Sequence, residues 1–221
     1  MINQQVWDRH YTREKSRQSY PDENVVRFVK KFATPSAHAA SVASGTEDIV
    51  SAAGLVHPCT WALDLGSGSG RHLPLLAEHF SRVVACDFSR ESLKPYSGKD
   101  SASAQAALPE LPFADSTFDF ILCWGVLHYL PDQLLAPAVM EIQRCLKPGG
   151  RVFLTLRSDS DTHLATQLAK GDLAEGHAKL FSKAEALAFF TGFVQSEYGF
   201  ILRQPLGEST VVAHHMIAAT R

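Results

Sequence analysis

Two acidic residues and a run of alternating glycines are the part of this sequence best suited to bind a ligand. The run Asp64-Leu65-Gly66-Ser67-Gly68-Ser69-Gly70 ends a short apolar stretch that is typical of a buried parallel strand. Alternate glycines let the backbone turn sharply and approach a ligand without interference from Cβ atoms. A second apolar stretch ends at Asp87, about 20 residues beyond the turn, where such units commonly bind a ribose. The pattern predicts a nucleoside site, and the alternative is a glycine turn that binds nothing.

The spacing of the glycines separates two classes of nucleotide site. A dinucleotide fingerprint read from Gly66 and Gly68 requires a third glycine at position 71, which is occupied by Arg71. The sequence has Gly70 instead, and this D-x-G-x-G-x-G pattern resembles the first motif of the class I S-adenosylmethionine-dependent methyltransferases. The resemblance implies S-adenosyl-L-methionine as cofactor and S-adenosyl-L-homocysteine as product. An NAD-dependent oxidoreductase is the less favoured alternative.

Two further segments resemble the same family in the expected order. Leu111-Pro112-Phe113 precedes a predicted fourth strand, Phe118 to Trp124, and Lys147-Pro148-Gly149-Gly150 precedes a predicted fifth strand, Arg151 to Leu156. The resemblance covers about residues 61–156. It implies an α/β fold with a Rossmann-like, seven-stranded, mostly parallel sheet, an antiparallel C-terminal strand pair and helices on both faces.

The resemblance also assigns residues to the cofactor. Asp87 would bind the ribose hydroxyls, or alternatively cap the next helix, and Phe88 would lie against the adenine or belong to the core. Family members have an acid that receives the adenine amine, but this sequence has none at that point, so Gln105 is predicted in its place, with Ser103 as the alternative. The predicted cofactor-binding residues are Tyr20, Asp64, Leu65, Gly66, Ser67, Gly68, Gly70, Asp87, Phe88, Gln105, Cys123 and Trp124.

The implied chemistry is in-line displacement of a sulfonium methyl group by a nucleophile. Positioning and desolvation can supply most of the acceleration, so a dedicated base is optional. The fourth strand should emerge beside the first at the topological switch point, which places Gly125 to Tyr129 between donor and acceptor. His128 and Tyr129 are the catalytic candidates because their side chains titrate. The alternative for His128 is a hydrogen-bonded structural histidine.

The N-terminal segment combines a predicted helix with three aromatic residues in polar surroundings. Apolar residues from Val25 to Phe32 follow helical spacing after a helix start at Pro21-Asp22-Glu23-Asn24, which predicts an amphipathic helix on the sheet. Trp7, Tyr11 and Tyr20 lie in a region that related small-molecule methyltransferases use as a lid. Tyr20 is the one predicted to touch the cofactor. Residues 33–45 are expected to form a connection or substrate-side insertion, followed by a short helix to about residue 53.

The remaining elements follow from periodicity and turn chemistry. A helix is predicted to start near Pro137 and to stop at Gly149. Ser182 and Glu185 form a capping-box pattern, and two antiparallel strands are predicted over 195–203 and 211–220. His214 and His215 are adjacent in the last strand and face opposite sides, so no metal site is assigned.

Composition limits the class of protein. With 221 residues, we expect a single domain made of an N-terminal helical cap (1–59), a cofactor-binding core (60–157) and a substrate-side part with the terminal hairpin (158–221). The net charge of −2 argues against nucleic acid, and we expect no membrane partner, a small-molecule methyl acceptor and a monomer or homodimer. Four cysteines without C-x-x-C spacing suggest buried thiols in a cytoplasmic protein. A catalytically silent cofactor-binding scaffold is the second alternative.

Overall fold

A computed structural model of the chain describes residues 4–33, 60–94, 102–164, 166, 177–204 and 206–221. In these ranges the strands are β1 (Trp61–Leu65), β2 (Arg82–Asp87), β3 (Ala102–Gln105), β4 (Phe118–Cys123), β5 (Leu146–Arg157), β6 (Gln195–Arg203) and β7 (Val212–Thr220). They form one sheet in the order β3-β2-β1-β4-β5-β7-β6. The first five strands are parallel, and β7 runs antiparallel to both β5 and β6. This confirms the predicted sheet, with its switch point between β1 and β4.

Helices cover both faces of the sheet, as predicted. They are α1 (Gln4–Tyr11), α2 (Glu23–Ala33), α3 (Leu73–His79), α4 (Arg90–Leu93), α5 (Asp132–Cys145) and α6 (Lys183–Ala188), with short 3₁₀ turns at Glu14–Ser16 and Leu127–Tyr129. Residues of β1 alternate between the two cores, because successive side chains of a strand point to opposite faces. Ala62 packs in the core formed by α2 and α3, whereas Leu63 packs in the core formed by α5 and α6.

The predicted amphipathic helix is confirmed as α2. Val25 and Val29 are fully buried against the sheet, and the ring of Phe28 stacks on Phe153 with 4.2 Å between centroids. Asp22 fixes the start of the helix, since its Oδ1 accepts a hydrogen bond from the Asn24 backbone at 2.9 Å. The Asp22 carboxylate also forms a salt bridge with Arg203 at the end of β6, at 3.0 Å. This contact joins the start of the helix to the edge strand of the sheet.

The prediction that a helix starts near Pro137 was wrong. α5 begins at Asp132, and Pro137 lies inside it. A proline so early in a helix removes only one backbone hydrogen bond, and burial of Leu135, Ala138 and Ile142 offsets that loss. The helix also ends earlier than predicted, at Cys145, with Leu146 as its C-cap. Gly149, at φ 79°, lies instead in an irregular stretch where the β4–β5 register shifts.

The C-terminal predictions hold more closely. The β6–β7 hairpin and the reciprocal capping box of Ser182 and Glu185 at α6 are both observed. Cys86, Cys123 and Cys145 are buried free thiols, as expected. Within the ranges given above, no helix has the length and apolar character needed to cross a bilayer. The expected connection and helix over 34–53, and Cys59, lie outside the described residues.

Candidate functional site

The glycine loop is attached directly to the end of β2. Gly66, Gly68 and Gly70 have φ values of 73°, 51° and 72°, so the loop uses a backbone conformation that favours glycine. The Asp87 carboxylate accepts hydrogen bonds from the backbone N–H groups of Gly68 and Ser89, each at 2.8 Å. One side chain therefore holds the loop after β1 against the loop after β2.

Asp87 is not the cap of α4. The N-cap position belongs to Ser89, and its side chain makes no capping bond. Burial raises the pKa of Asp87, while the N–H groups of Ser89 and Gly68 act in the opposite direction. Each carboxylate oxygen has one backbone donor and retains further lone pairs. The acid can therefore accept additional hydrogen bonds from a ligand.

A largely apolar cavity lies beside Asp87. It brings together four of the predicted cofactor-binding residues, Leu65, Gly66, Asp87 and Phe88, and one catalytic candidate, Tyr129. The rest of its wall comes from Trp7 and Tyr11 in α1, from Ala106, Ala107 and Leu108 after β3, and from Gly125, Val126 and Leu130 after β4.

A second, polar cavity lies on the other side of the glycine loop. It is lined by the predicted residues Gly66, Ser67, Gly68 and Trp124, together with His10, Tyr11, Ser16, Gln18, Ser69, Arg71 and His72. Burial lowers the pKa of Arg71, and the acids Asp22 and Asp64 raise it. Gly66 and Tyr11 line both cavities, so the two spaces adjoin the glycine loop.

Helix α1 covers the site. Asp8 accepts a hydrogen bond from the Ser89 hydroxyl at 2.5 Å, and Gln4 donates to the Phe88 carbonyl at 3.0 Å. The ring of Trp7 meets Tyr129 edge-on with 4.8 Å between centroids. The cover is therefore joined to the same strand ends that form the cavities.

Tyr11, rather than Tyr20, is the tyrosine that enters the site. A Cβ added at Gly68 would lie 2.5 Å from the Tyr11 hydroxyl, whereas Tyr20 is 84% exposed and lines neither cavity. Burial is the main cause that raises the pKa of Tyr11, so its hydroxyl is protonated at neutral pH. Sequence reasoning had placed both tyrosines in the same aromatic cover, and only the packing of α1 distinguishes them.

Asp64 is a buried acid beneath the glycine loop. Its carboxyl is 1% exposed, and its Oδ2 has no hydrogen-bond partner in the part of the chain described. Burial, and then the charge of Asp87, raise the pKa of Asp64 to about 7, and Arg71 acts against this rise. Of the two acids at the ends of β1 and β2, Asp64 is therefore readily protonated. A positively charged ligand nearby would stabilise its ionised form.

The raised pKa predicts a pH-dependent cost in stability. Between about pH 4 and 7 the native state keeps a proton that the unfolded chain has lost, so this group lowers stability as pH rises through that window. Asp64→Asn should raise the free energy of unfolding at pH 8 by about 1–3 kcal/mol. At pH 5 the gain should be much smaller, because the native acid is already neutral. Urea unfolding at both pH values measures the difference.

Asp119→Asn is the matched control. The Asp119 carboxylate lies at the opposite end of the sheet and has two donors, the Trp61 backbone at 2.8 Å and Lys147 at 2.7 Å. Its replacement should therefore destabilise the protein at pH 8. An equal gain for Asp64→Asn at pH 5 and pH 8 would show that the buried charge is not the cause.

Several predicted site residues line neither cavity. His128 is 1% exposed, and burial, followed by Arg157 and His214, lowers its pKa well below the ordinary value. Cys123 is fully buried in the core, and burial raises the pKa of its thiol, so it stays protonated. Gln105 donates through Nε2 to the Phe88 carbonyl at 3.1 Å. Asp64 and Gly70 also lie outside both linings.

Tyr129 is the catalytic candidate that reaches the apolar cavity. Burial raises its pKa, while Arg157 hydrogen-bonds the hydroxyl and acts in the opposite direction. Arg157 is itself held by Asp161 at 2.6 Å. The hydroxyl is thus an oriented, protonated group at neutral pH.

Some lining residues gave no signal in the sequence. Ala106, Ala107 and Leu108 are small or apolar side chains without chemical character of their own. They reach the site because the segment after β3 is held to β2 by the Ala106 N–H, which donates to the Asp87 carbonyl at 3.1 Å.

Comparison with known proteins identifies a protein family that part of this chain matches. Residues 63–154 match a family model described as a methyltransferase domain. Malonyl-[acyl-carrier protein] O-methyltransferase of Herminiimonas arsenicoxydans is 37% identical over 106 residues, which are 47% of this chain and 40% of that enzyme. The tRNA (carboxymethyluridine(34)-5-O)-methyltransferase of Arabidopsis thaliana is 32% identical over 108 residues, 48% of this chain and 26% of that enzyme.

The fold has solved counterparts. The crystal structure of an S-adenosylmethionine-dependent methyltransferase from Archaeoglobus fulgidus superposes with a TM-score of 0.59, covering 74% of this chain and 86% of that chain at 13% identity. The match extends over less than half of each curated relative, and those relatives are named for acceptors of different classes. The family match over residues 63–154 includes the loops after β1, β2, β3 and β4, whereas the N-terminal residues that line both cavities lie outside it.

Proposed function

We propose that this chain, whose residues 63–154 match a methyltransferase domain, is a class I S-adenosylmethionine-dependent methyltransferase that transfers the methyl group to a small-molecule nucleophile. The observation that carries the proposal is the pair of cavities that share Gly66 and Tyr11 in their linings. One is apolar and lies beside a buried acid, and the other is polar and contains an arginine. S-adenosylmethionine has matching ends, an aromatic base on a ribose and a zwitterionic amino acid.

The residues present fit this cofactor. Asp87 would accept the ribose hydroxyls, and Phe88 would pack against the base in the apolar cavity. Arg71 lines the polar cavity and would attract the amino-acid carboxylate. The unpartnered Oδ2 of Asp64, buried beneath the loop, favours a ligand with positive charge nearby. A Cβ added at Gly66 would overlap Val126, and one at Gly68 would overlap Tyr11, so the loop needs glycine where both cavities adjoin it.

S-adenosylmethionine, when bound, supplies a sulfonium methyl group that a nucleophile displaces in line. The chain's own contribution is to orient the reactants and exclude water, which α1 does with Trp7 and Tyr11. Tyr129 would donate a hydrogen bond to the acceptor from a hydroxyl fixed by Arg157. His128 is neutral and fully enclosed, which supports a structural role.

A small-molecule acceptor is supported by the aromatic cover and by charge. Trp7 and Tyr11 line the apolar cavity, and the net charge of −2 does not favour a nucleic acid as the partner. A tritiated methyl donor offered with a low-molecular-weight metabolite fraction should label a small product. Total tRNA offered in parallel should remain unlabelled, and labelled tRNA would contradict the proposed acceptor class.

Titration calorimetry tests the cofactor directly. S-adenosylmethionine and S-adenosylhomocysteine should bind with one site per chain, and NAD should not bind. Absence of binding by both sulfur nucleosides at millimolar concentration would refute the proposed function. Binding without methyl transfer to any fraction would favour the silent scaffold.

A further inference from the structure

We propose that the cofactor site binds the purine ring without a described hydrogen-bond acceptor for the exocyclic amine. We also propose that the alanine at position 107 is the reason why the site accepts a purine that lacks this amine. This inference rests on the proposed function and concerns the base end of the same site. Asp87 takes the ribose in that proposal, so the attached base must lie in the apolar cavity beside it. The wall there consists of Phe88, Ala106, Ala107 and Leu108.

The described side chains at this end offer no acceptor. Alanine and leucine have no polar atoms, and Phe88 offers only a ring face. The two polar side chains nearest along the chain lie outside the cavity lining. Gln105 donates a hydrogen bond through Nε2 to the Phe88 carbonyl. The exposed Glu110 donates its backbone N–H to the Ala107 carbonyl in the turn.

Three backbone carbonyls around the base end already accept hydrogen bonds. The Asp87 carbonyl accepts from the Ala106 N–H at 3.1 Å, and the Ala107 carbonyl from the Glu110 N–H at 3.0 Å. The Phe88 carbonyl accepts from both Gln4 and Gln105, which uses its two lone pairs. An amine on the bound base therefore gains little from this wall.

The consequence is weak discrimination at purine position 6. A site that hydrogen-bonds a ligand group strongly rejects an analogue without it, because its own polar atoms are left unpaired. A carboxylate partner would correspond to a preference of about 10- to 150-fold for the amine. Here no described side chain is left unpaired when the amine is removed, so binding should depend on packing against Phe88 and Leu108.

Calorimetry with S-adenosylhomocysteine and its 6-deamino analogue, which carries purine in place of adenine, tests this inference. The analogue keeps the ring nitrogen at position 1 as an acceptor, so only the amine differs. The two ligands should bind the unmodified protein with dissociation constants within about threefold. Ala107→Asp places a carboxylate at the exposed wall position, and it should bind S-adenosylhomocysteine about tenfold or more tightly than the analogue.

Gln105→Ala and Glu110→Gln are matched controls and should leave the ratio unchanged. A preference of tenfold or more for the amine in the unmodified protein would overturn the inference, and whichever control abolished that preference would be the partner. An unchanged ratio in Ala107→Asp would show that position 107 does not face the amine. Failure of both ligands to bind would refute the proposed function itself.

Discussion

Replacing Asp87 by alanine should lower the affinity for S-adenosylhomocysteine by about 100-fold or more. The carboxylate would accept both ribose hydroxyls, and each charge-assisted hydrogen bond contributes about 1.5–3 kcal/mol. The same side chain holds Gly68 and Ser89 through their N–H groups, so its loss also releases the glycine loop. Titration calorimetry on folded variant protein measures the change.

The structural and ligand roles of Asp87 can be separated with a modified ligand. The 2′-deoxy analogue of S-adenosylhomocysteine lacks one of the hydroxyls that the acid would accept. The unmodified protein should bind this analogue at least tenfold more weakly than the parent compound, whereas Asp87→Ala should bind the two alike. Asp87→Asn, which keeps one oxygen acceptor, should show an intermediate preference. A preference of equal size in all three proteins would place the ribose elsewhere.

Gly66→Ala should be the most destabilising substitution in the loop, by about 2–5 kcal/mol. Gly66 has a φ of 73°, which costs a non-glycine residue about 1–2 kcal/mol. The added Cβ would lie 2.2 Å from the Cγ2 of Val126, and overpacking of this kind costs about 1–3 kcal/mol more. Valine is stiff at χ1, so this methyl group cannot simply rotate away. Urea unfolding gives the free-energy difference.

Gly125→Ala is the control that isolates the backbone contribution. Its φ is 77°, close to that of Gly66, but an added Cβ would meet nothing within 4 Å. It should therefore cost only the conformational part, about 1–2 kcal/mol. Val126→Ala combined with Gly66→Ala should recover part of the overlap cost. Equal losses for Gly66→Ala and Gly125→Ala would exclude the steric contribution of Val126.

In the proposed function, the cover formed by α1 would link cofactor binding to access by the acceptor. Its contacts fall on Phe88, Ser89 and Tyr129, which lie in the loops beside the apolar cavity. Tyr11 reaches across both cavities, so the helix lies over the middle of the site. This position suits a segment that must exclude water during transfer of a methyl group.

Strong local patterns identified the centre of the site. The apolar run before Asp64, the alternating glycines and the acid at Asp87 each obey a local rule, so their strands and turns are fixed by neighbouring residues. The later strands and α2 follow from clear period-2 and period-3.6 patterns. The resemblance of these segments to class I S-adenosylmethionine-dependent methyltransferases supplied the prediction of the sheet and its switch point.

Weak local signals left other parts to the tertiary structure. β3 is a short edge strand of alanine, serine and glutamine, with no apolar pattern to reveal it. The start of α5 was misplaced because Pro137 suggested a first turn, whereas burial along the helix extends it back to Asp132. In both cases long-range packing outweighed the local preference.

The sequence by itself determined the glycine loop and Asp87, because these depend on backbone geometry and strand periodicity that neighbouring residues specify, and its resemblance to a known family implied the fold. The tertiary structure alone decided that Tyr11 rather than Tyr20 enters the site, and that His128 and Gln105 line neither cavity. It also decided that alanines line the apolar cavity and that, among the residues described, Oδ2 of Asp64 has no partner. These outcomes depend on side chains from distant segments meeting across the ends of the strands, which spacing along the chain does not encode.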